Sequence, residues 1–466
     1  MNRQPMTTLQ QAAGWIAGAS ISGDATRSFS RVHTDSRTVE PGDLFVALKG
    51  ERFDAHDFLV DVVARGAVAV MVSRKVDVDV PALIVPDTRT GLGQLATGWR
   101  RTFTPPTVAV TGSNGKTTVK EMIAAIFAAA VGEGDRLATG GNLNNDIGLP
   151  LTVLRLRAHH KLAVLELGMN HPGETIYLAG IAQPTVAVVT NAQREHQEFM
   201  VSVEAVAHEH ASAIAALPAD GVAVFPVDAE SGGAYAAIWR QAAGTRKVLS
   251  FGTDASADVR ATVSLENGVQ VLDVTAPDLR FTLRLQVLGV HNVRNALAAT
   301  ACALAAGVDV AAIQTGIAGF TAVKGRLQVK HTPAGIVVID DTYNANPDSM
   351  RAAIDVLAGF ATPRLLVLGD MGEVGDQGPM FHTEIGAYAR ERGIDALWAT
   401  GELAPHAVQA YGGGARYFAR AEDLAQALEA DKEGTVANAA AVLVKGSRFM
   451  RMERMVDALV ASPSAH

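Results

Sequence analysis

Gly112, Gly115, Lys116 and Thr117 stand together in "AVTGSNGKTTVKEMIAAIFAAA" (109–130). These residue types at this spacing suit the capture of a phosphorylated nucleotide. Glycines let a loop turn tightly and bring its N–H groups to phosphate oxygens. Lys116 supplies charge to the β- and γ-phosphates, and the Thr117 hydroxyl can ligate Mg²⁺. Ser113, Asn114 and Thr118 complete the loop, and the N-terminus of the following helix adds partial positive charge. The strict pattern G-x-x-x-x-G-K-[ST] wants a glycine where this chain has Val110, so "TGSNGKTT" is a variant with a shorter glycine pair. A capped helix after a glycine turn would not need Lys-Thr-Thr.

Other polar groups cluster further along. "ATGGNLNNDIGLP" (138–150) offers the amides of Asn142, Asn144 and Asn145, which suit a substrate rich in peptide and carboxylate groups. An ordinary polar loop is the alternative. "LELGMNHPGE" puts Glu166 at the end of an apolar strand, and "TNAQREH" puts His196 just past the next. In an open α/β sheet ligands bind at such strand ends, so this carboxylate and imidazole are candidates to hold a metal beside the loop's Mg²⁺. "HEH" (208–210) is no zinc motif, since H-E-x-x-H would need histidine at Ser212. His208 and Glu209 read as a solvated helix face.

The elements that position these groups form three blocks: 1–104, 105–322 and 323–466. The first holds short strand-like runs, "DLFVAL", "VAVMV" and "ALIVP", and Pro105-Pro106 marks its end. The second alternates strand and helix through "TVAVT", a helix over 117–130, "LAVLELG", "VAVVTN" and "GVAVFP". Apolar strands separated by helices predict a parallel sheet covered on both faces. Asn267-Gly268, between alternating runs, predicts a hairpin and hence an antiparallel appendage over 259–288. In the third block, "GIVVIDD", "RLLVLGD", "DALWATG" and "AVLVKGS" predict four more buried strands. The fold class is therefore α/β in three domains.

Hydrophobic residues at 48% and charged residues at 19% fit a folded chain, and a net charge of −8 argues against a general nucleic-acid binder. The one cysteine, Cys302, cannot form an internal disulfide and reads as a core residue. The N-terminus lacks a signal peptide's apolar region, no run reaches the ~18–20 residues that span a bilayer, and a cytoplasmic location is expected. The terminal "ASPSAH" is expected to fray.

The loop variant resembles that of the Mur ligase family and its folylpolyglutamate synthase relatives, which use ATP to join a carboxylate to an amine. Further segments are similar to that family's motifs, in the same order. "GVHNVRNALAA" (289–299) resembles its nucleotide-contacting segment, which implies Asn292 and Asn295 near the adenine and phosphates. "KGR" (324–326) resembles its hinge and implies Arg326 reaching ATP from a Rossmann-like third domain. "VIDDTYNANPDSM" (338–350) implies Asp341 at the ribose, and "VLGDMGEVG" and "LVKGSR" complete the set. "TDSRTVEPGDLFVALKGERFDAHDF" (34–58) is similar to a uridine-nucleotide domain and implies Ser36 and Arg37 as substrate contacts.

Within the family the motifs look most like the member that adds D-alanyl-D-alanine to UDP-N-acetylmuramoyl-tripeptide. The resemblance then implies ATP and Mg²⁺ as cofactors and an acyl-phosphate intermediate. It implies catalytic roles for Lys116, Glu166 and His196, a monomer, and no nucleic-acid or membrane partner. It also implies that the third domain closes when nucleotide binds. Another Mur ligase or a folylpolyglutamate synthase is the near alternative, and an ATP-driven switch the distant one. The chain departs from the family at one point. Many members carry, about fourteen residues after the histidine matched by His196, a lysine whose CO₂ adduct helps hold a second Mg²⁺. Here His210 occupies that place; it can bind metal but cannot form a carbamate.

Overall fold

Strand Thr107–Thr111 is buried along its whole length, and its side chains alternate between two apolar layers. Ala109 joins one layer with Leu165, Ala187 and Phe225, while Val108 and Val110 join the other with Val164, Val188 and Val224. A period of two with both faces apolar is what a sheet covered on both sides requires. The computed structural model describes residues 4–431 and 433–460, so "ASPSAH" lies outside the described residues.

That strand sits inside a nine-stranded sheet whose strands begin, in spatial order, at Leu279, Val269, Val259, Lys247, Val222, Val186, Thr107, Leu162 and Arg136. Pairings from Val259 to Arg136 are parallel. The two at the other edge are antiparallel, the hairpin turning at Asn267 and Gly268 with φ of 51° and 81°. Positive φ at both central residues matches the twist of a two-residue hairpin. After Thr107–Thr111 the chain runs to the Arg136 edge and returns through Leu162–Glu166. It then crosses to Val186–Val189 on the other side. The crevice opens at this reversal of strand order, beyond the carboxyl ends of the strands.

Two further sheets flank this one. The first has five strands, beginning at Ser20, Ala82, Ala69, Asp43 and Arg31, and the third has six, beginning at Gln328, Val337, Ala441, Arg364, Ala396 and Ala415. The third sheet exceeds the four buried strands expected because Gln328–His331 and Ala415–Phe418 are edge strands with partly exposed, polar-rich sequences. Such strands lack the apolar run that announces a central strand.

The two flanking units are attached differently. Helix Thr88–Arg100 shares one continuous apolar cluster with the central unit, Leu92, Leu95 and Ala96 lying in it with Leu178 and Ile181. Arg100, buried, donates to the carbonyls of Ala182 and Gln183 and to Thr107 Oγ1. The third sheet instead builds its two apolar layers from its own residues, and its contacts with the central unit near the crevice are polar. Cys302 is buried in the core, as expected, and burial pushes its thiol pKa up. Among the described residues no helix is long and apolar enough to cross a membrane.

One helix face differs from expectation. His208 is exposed, but Glu209 is buried and accepts the N–H groups of Gly173 and Thr175 at 2.9 and 2.8 Å. A carboxylate at the start of helix Glu174–Ala182 pairs amides that have no partner within their own helix. Glu209→Ala is expected to cost about 2 kcal/mol, because two amides lose a charged acceptor. His208→Ala should stay within about 0.5 kcal/mol of the parent. The midpoint of urea unfolding of the full chain distinguishes the two.

Candidate active site

The loop Gly112–Gly115 leaves the end of the central strand, and its glycines are obligatory. Gly112, at φ +130°, lies against Thr190, and a Cβ there would sit 2.1 Å from its Oγ1. Gly115, at φ +81°, opens helix Lys116–Val131, and a Cβ there would meet Asn295 Oδ1 at 2.5 Å. Asn114 anchors the loop: its N–H donates to Asn191 Oδ1 at 2.8 Å, and its carbonyl accepts from Thr190 Oγ1 and Asn191 Nδ2 at 2.7 and 2.9 Å.

Lys116 Nζ donates to the carbonyls of Gly112 and Ser113 and pairs with Glu195 Oε2 at 3.3 Å. Thr117 Oγ1 donates to Glu166 Oε1 at 3.1 Å, and Asn144 Nδ2 donates to the same oxygen at 2.8 Å. Glu166 Oε2 is buried with no hydrogen-bond partner. A buried carboxylate oxygen left bare beside a threonine hydroxyl fits a hard cation that takes its other oxygens from phosphates and water. Among the described residues no three His, Cys, Asp or Glu side chains form a closed cage.

A cleft of about 1360 Å³ joins these groups to the third unit. Ser113, Asn114, Lys116, Thr117, Thr118, Glu166, His196, Asn292, Asn295, Arg326 and Asp341 all line it, with the three amides of the 142–145 loop. Several hold one another. Asn144 braces Glu166, and Asn145 Oδ1 accepts Gly148 N–H at 2.8 Å, so both amides are engaged within the protein. Asn292 donates to the carbonyl of Leu288 and accepts from Asn295, whose own oxygen abuts Gly115. Arg326 reaches Thr117 Oγ1 at 3.5 Å and lies 4.1 Å above the Tyr343 ring. Asp341 accepts from Leu327 N–H at 3.1 Å and from Lys445 at 2.6 Å.

Three expected residues lie apart. Ser36 and Arg37 occupy a turn of the first unit outside this cleft, Arg37 exposed and paired with Asp35 at 2.7 Å. His210 is fully buried and does not line the cleft. Its Nδ1 bonds Thr111 Oγ1 at 2.9 Å and its Nε2 bonds Glu195 Oε1 at 2.8 Å. Both ring nitrogens, whose capacity for metal the sequence left open, are thus engaged within the protein.

Glu195 went unremarked in the sequence. It lies between Lys116, His196 and His210. Burial pushes its carboxyl pKa up, but Lys116 and the His210 hydrogen bond outweigh that and leave it lowered to about 2. Lys445 was visible only as part of "LVKGSR"; burial pushes its ammonium pKa down against the pull of Asp341. His291, also lining the cleft, has an unpartnered buried Nε2, and burial lowers its imidazole to about 4.

The third unit docks through polar contacts. Asn346 caps helix Pro347–Ala358 and donates to Asn114 Oδ1 at 2.9 Å. Arg194 forms a fork to Asp348 at 2.6 Å and to Glu384 at 2.7 Å, and His196 Nδ1 lies 2.7 Å from Glu373. The His196 bond lowers the Glu373 carboxyl pKa.

Comparison with known proteins follows the same division. Residues 28–100 match the Mur ligase family catalytic domain, residues 110–303 the Mur ligase middle domain, and residues 325–448 the Mur ligase glutamate ligase domain. The chain is 40% identical over 459 residues to the UDP-N-acetylmuramoyl-tripeptide–D-alanyl-D-alanine ligase of Escherichia coli (strain K12), covering 96% of each. It superposes on a crystal structure of MurF from Acinetobacter baumannii with TM-score 0.91 at 36% identity, covering 99% of this chain and 100% of that one. For MurF ligase from Thermotoga maritima in complex with ADP the TM-score is 0.79 at 27% identity, covering 92% and 96%.

Because the third unit has its own core, Arg194 is the main charged tie to it. Nucleotide-free Arg194→Ala is expected to show a larger radius of gyration than the parent in small-angle scattering. The two should converge when the non-hydrolysable analogue AMP-PNP binds. Equal radii without nucleotide would remove Arg194 from this role.

Proposed function

The chain belongs to the Mur ligase family, and from that premise we propose that it is the ATP-dependent ligase that adds D-alanyl-D-alanine to UDP-N-acetylmuramoyl-tripeptide. The observation that carries the reading is the facing of Lys116, Thr117 and Glu166 across one cleft by Arg326 and Asp341 of the third unit. The high-coverage relative from E. coli bears that ligase's name, and the ADP-bound T. maritima structure supports a nucleotide at the loop.

Joining a carboxylate to an amine in water is uphill, so the tripeptide carboxylate must first be activated by taking the γ-phosphoryl group of ATP. The amine of D-alanyl-D-alanine then attacks the acyl carbon, and phosphate leaves. Phosphoryl transfer is catalysed mostly by positioning and electrostatics, which assigns the roles. The loop amides and Lys116 bind the phosphates and offset their charge, and Arg326 adds charge from the opposite wall. Thr117 and Glu166 would hold Mg²⁺, which supplies further charge neutralisation at the phosphates. Asp341, kept in place by Lys445 and Leu327, orients the ribose.

Residues 1–104, with Ser36 and Arg37, take the uridine nucleotide; residues 105–322 take ATP; residues 323–466 close over both and receive the dipeptide. The cleft is complete within one chain, and the reading needs no second copy. ATP and UDP-linked precursors place the reaction in the cytoplasm.

Mass spectrometry of the reaction, omitting each component in turn, tests the proposal. A product heavier by the dipeptide minus water, with stoichiometric ADP and only in the full mixture, is expected. ATP turnover without that product would reject the substrate assignment in favour of a folate ligase or an ATP-driven switch. Lys116→Ala should lower kcat by roughly 10²–10³-fold, the scale for one lost electrostatic donor.

A further inference from the structure

Arg89 is the one described residue of the first unit that lines the cleft, and the scheme above leaves it unused. It follows strand Ala82–Ile84, whereas Ser36 and Arg37 follow strand Arg31–His33. The four strands from Ala82 to Arg31 pair in parallel, so both positions lie at the carboxyl edge of one sheet. Three strand spacings separate them, about 14 Å. A substrate anchored by its uridine at Ser36 can run along this edge and enter the cleft past Arg89.

There Arg89 meets the central unit. Its Nη2 donates to Asp146 Oδ1 at 2.8 Å, and its Nε pairs with Oδ2. The two units are already joined by an apolar core containing Leu92, Leu95, Leu178 and Ile181. A half-exposed ion pair adds little to that. What the shared core does is hold the guanidinium and the carboxylate side by side in the cleft wall. Tyr177 lines the same end; burial pushes its phenol pKa up, Asp146 adds to that push and Arg89 opposes it. The neighbouring carboxylates have other tasks. Asp87 caps its helix through Thr90 N–H at 2.7 Å, and Glu174 accepts from Asn170 N–H at 2.7 Å.

The carboxylate to be activated must lie beside Thr117 and Glu166. Asn144 donates to Glu166 at 2.8 Å, and Asp146 follows two residues later, within about 7 Å of chain. From the α-carbon of a lysine or a 2,6-diamino dicarboxylic acid to its Cε is about 5 Å, four carbon–carbon bonds. With its α-carboxylate at the phosphate loop, such a residue reaches Arg89 and Asp146 with the far end of its side chain.

We propose that Arg89 and Asp146 read the side chain of the peptide's third residue, selecting one that ends in both an ammonium and a carboxylate, as meso-diaminopimelate does. The inference rests on the ligase reading above. The ammonium takes Asp146, and the carboxylate takes Arg89 in the two-pronged geometry that a guanidinium favours. One internal pair is exchanged for two pairs with the substrate, and no charge is left over. Lysine carries the same ammonium on Cε but no carboxylate. It draws Asp146 away and leaves Arg89 without a partner, which disfavours it.

The test compares kcat/KM of the full chain for UDP-N-acetylmuramoyl-tripeptides ending in meso-diaminopimelate and in L-lysine, with ATP, Mg²⁺ and D-alanyl-D-alanine. The parent is expected to prefer the first about tenfold, the scale of one charge-assisted contact. Arg89→Ala should abolish that preference, mainly by raising KM for the diaminopimelate substrate. Asp146→Asn should raise KM for both, since both present the ammonium. A pair that only ties the units together would affect the two substrates alike.

Equal use of both substrates by the parent overturns the proposal, and so does an equal loss for both in Arg89→Ala. The parent's preference is read without any variant, so a variant that fails to fold leaves the test decisive. Ligation of neither peptide would reject the ligase reading itself, whereas ligation of both with equal efficiency rejects only the selection by Arg89 and Asp146.

Discussion

The site depends first on the hydrogen bonding of the loop between Thr111 and Lys116. A backbone able to present several N–H groups to one anion is strained and electropositive, and it needs neighbours to hold its shape. Asn191 does this from both sides, accepting from Asn114 N–H and donating to Asn114 carbonyl oxygen, while its own carbonyl accepts Ser113 N–H at 3.1 Å. Those partners exist because Val186–Val189 pairs in parallel with the loop's strand, Val189 opposite Thr111. Parallel register brings both strand ends to the same edge. The sheet is thus the device that makes the loop rigid.

Charge is arranged around that loop in local pairs. The chain carries a net −8, so its overall field opposes an anionic substrate. Capture falls to a few cations, and two of these rest against carboxylates in the cleft: Lys116 with Glu195 and Lys445 with Asp341. Pairing a buried charge limits its desolvation cost and sets its direction. It also means that an incoming phosphate competes with a carboxylate for its lysine, so nucleotide binding rearranges ion pairs as well as filling space.

The units differ in how firmly they can hold a substrate. The first shares an apolar core with the central unit, and exposing that surface to separate them would be costly. The third has its own core and meets the central unit through amides and ion pairs. Polar interfaces of this kind exchange readily with water, which suits a unit that must admit a nucleotide and then exclude solvent from a reactive acyl group.

By itself the sequence determined whatever rests on local chemistry. The glycine-lysine loop between an apolar strand and a helix, the Asn267-Gly268 turn and the alternating strands were legible because turn type and periodicity are written in neighbouring residues. Strand-end logic brought Glu166 and His196 to the right edge for the same reason. The edge strands Gln328–His331 and Ala415–Phe418 escaped because half-exposed strands have no apolar signature. Partner choice was decided only by the tertiary structure. Glu209 looked solvated until a helix start was packed over it, and Glu195 had no signal until His210 and Lys116 converged on it. The role of His210 was open until Thr111 and Glu195 engaged both its nitrogens. Such contacts join residues as far apart as Asn114 and Asn346, 232 positions along the chain. No local period encodes them, because they arise only when separate elements bring their ends to one place.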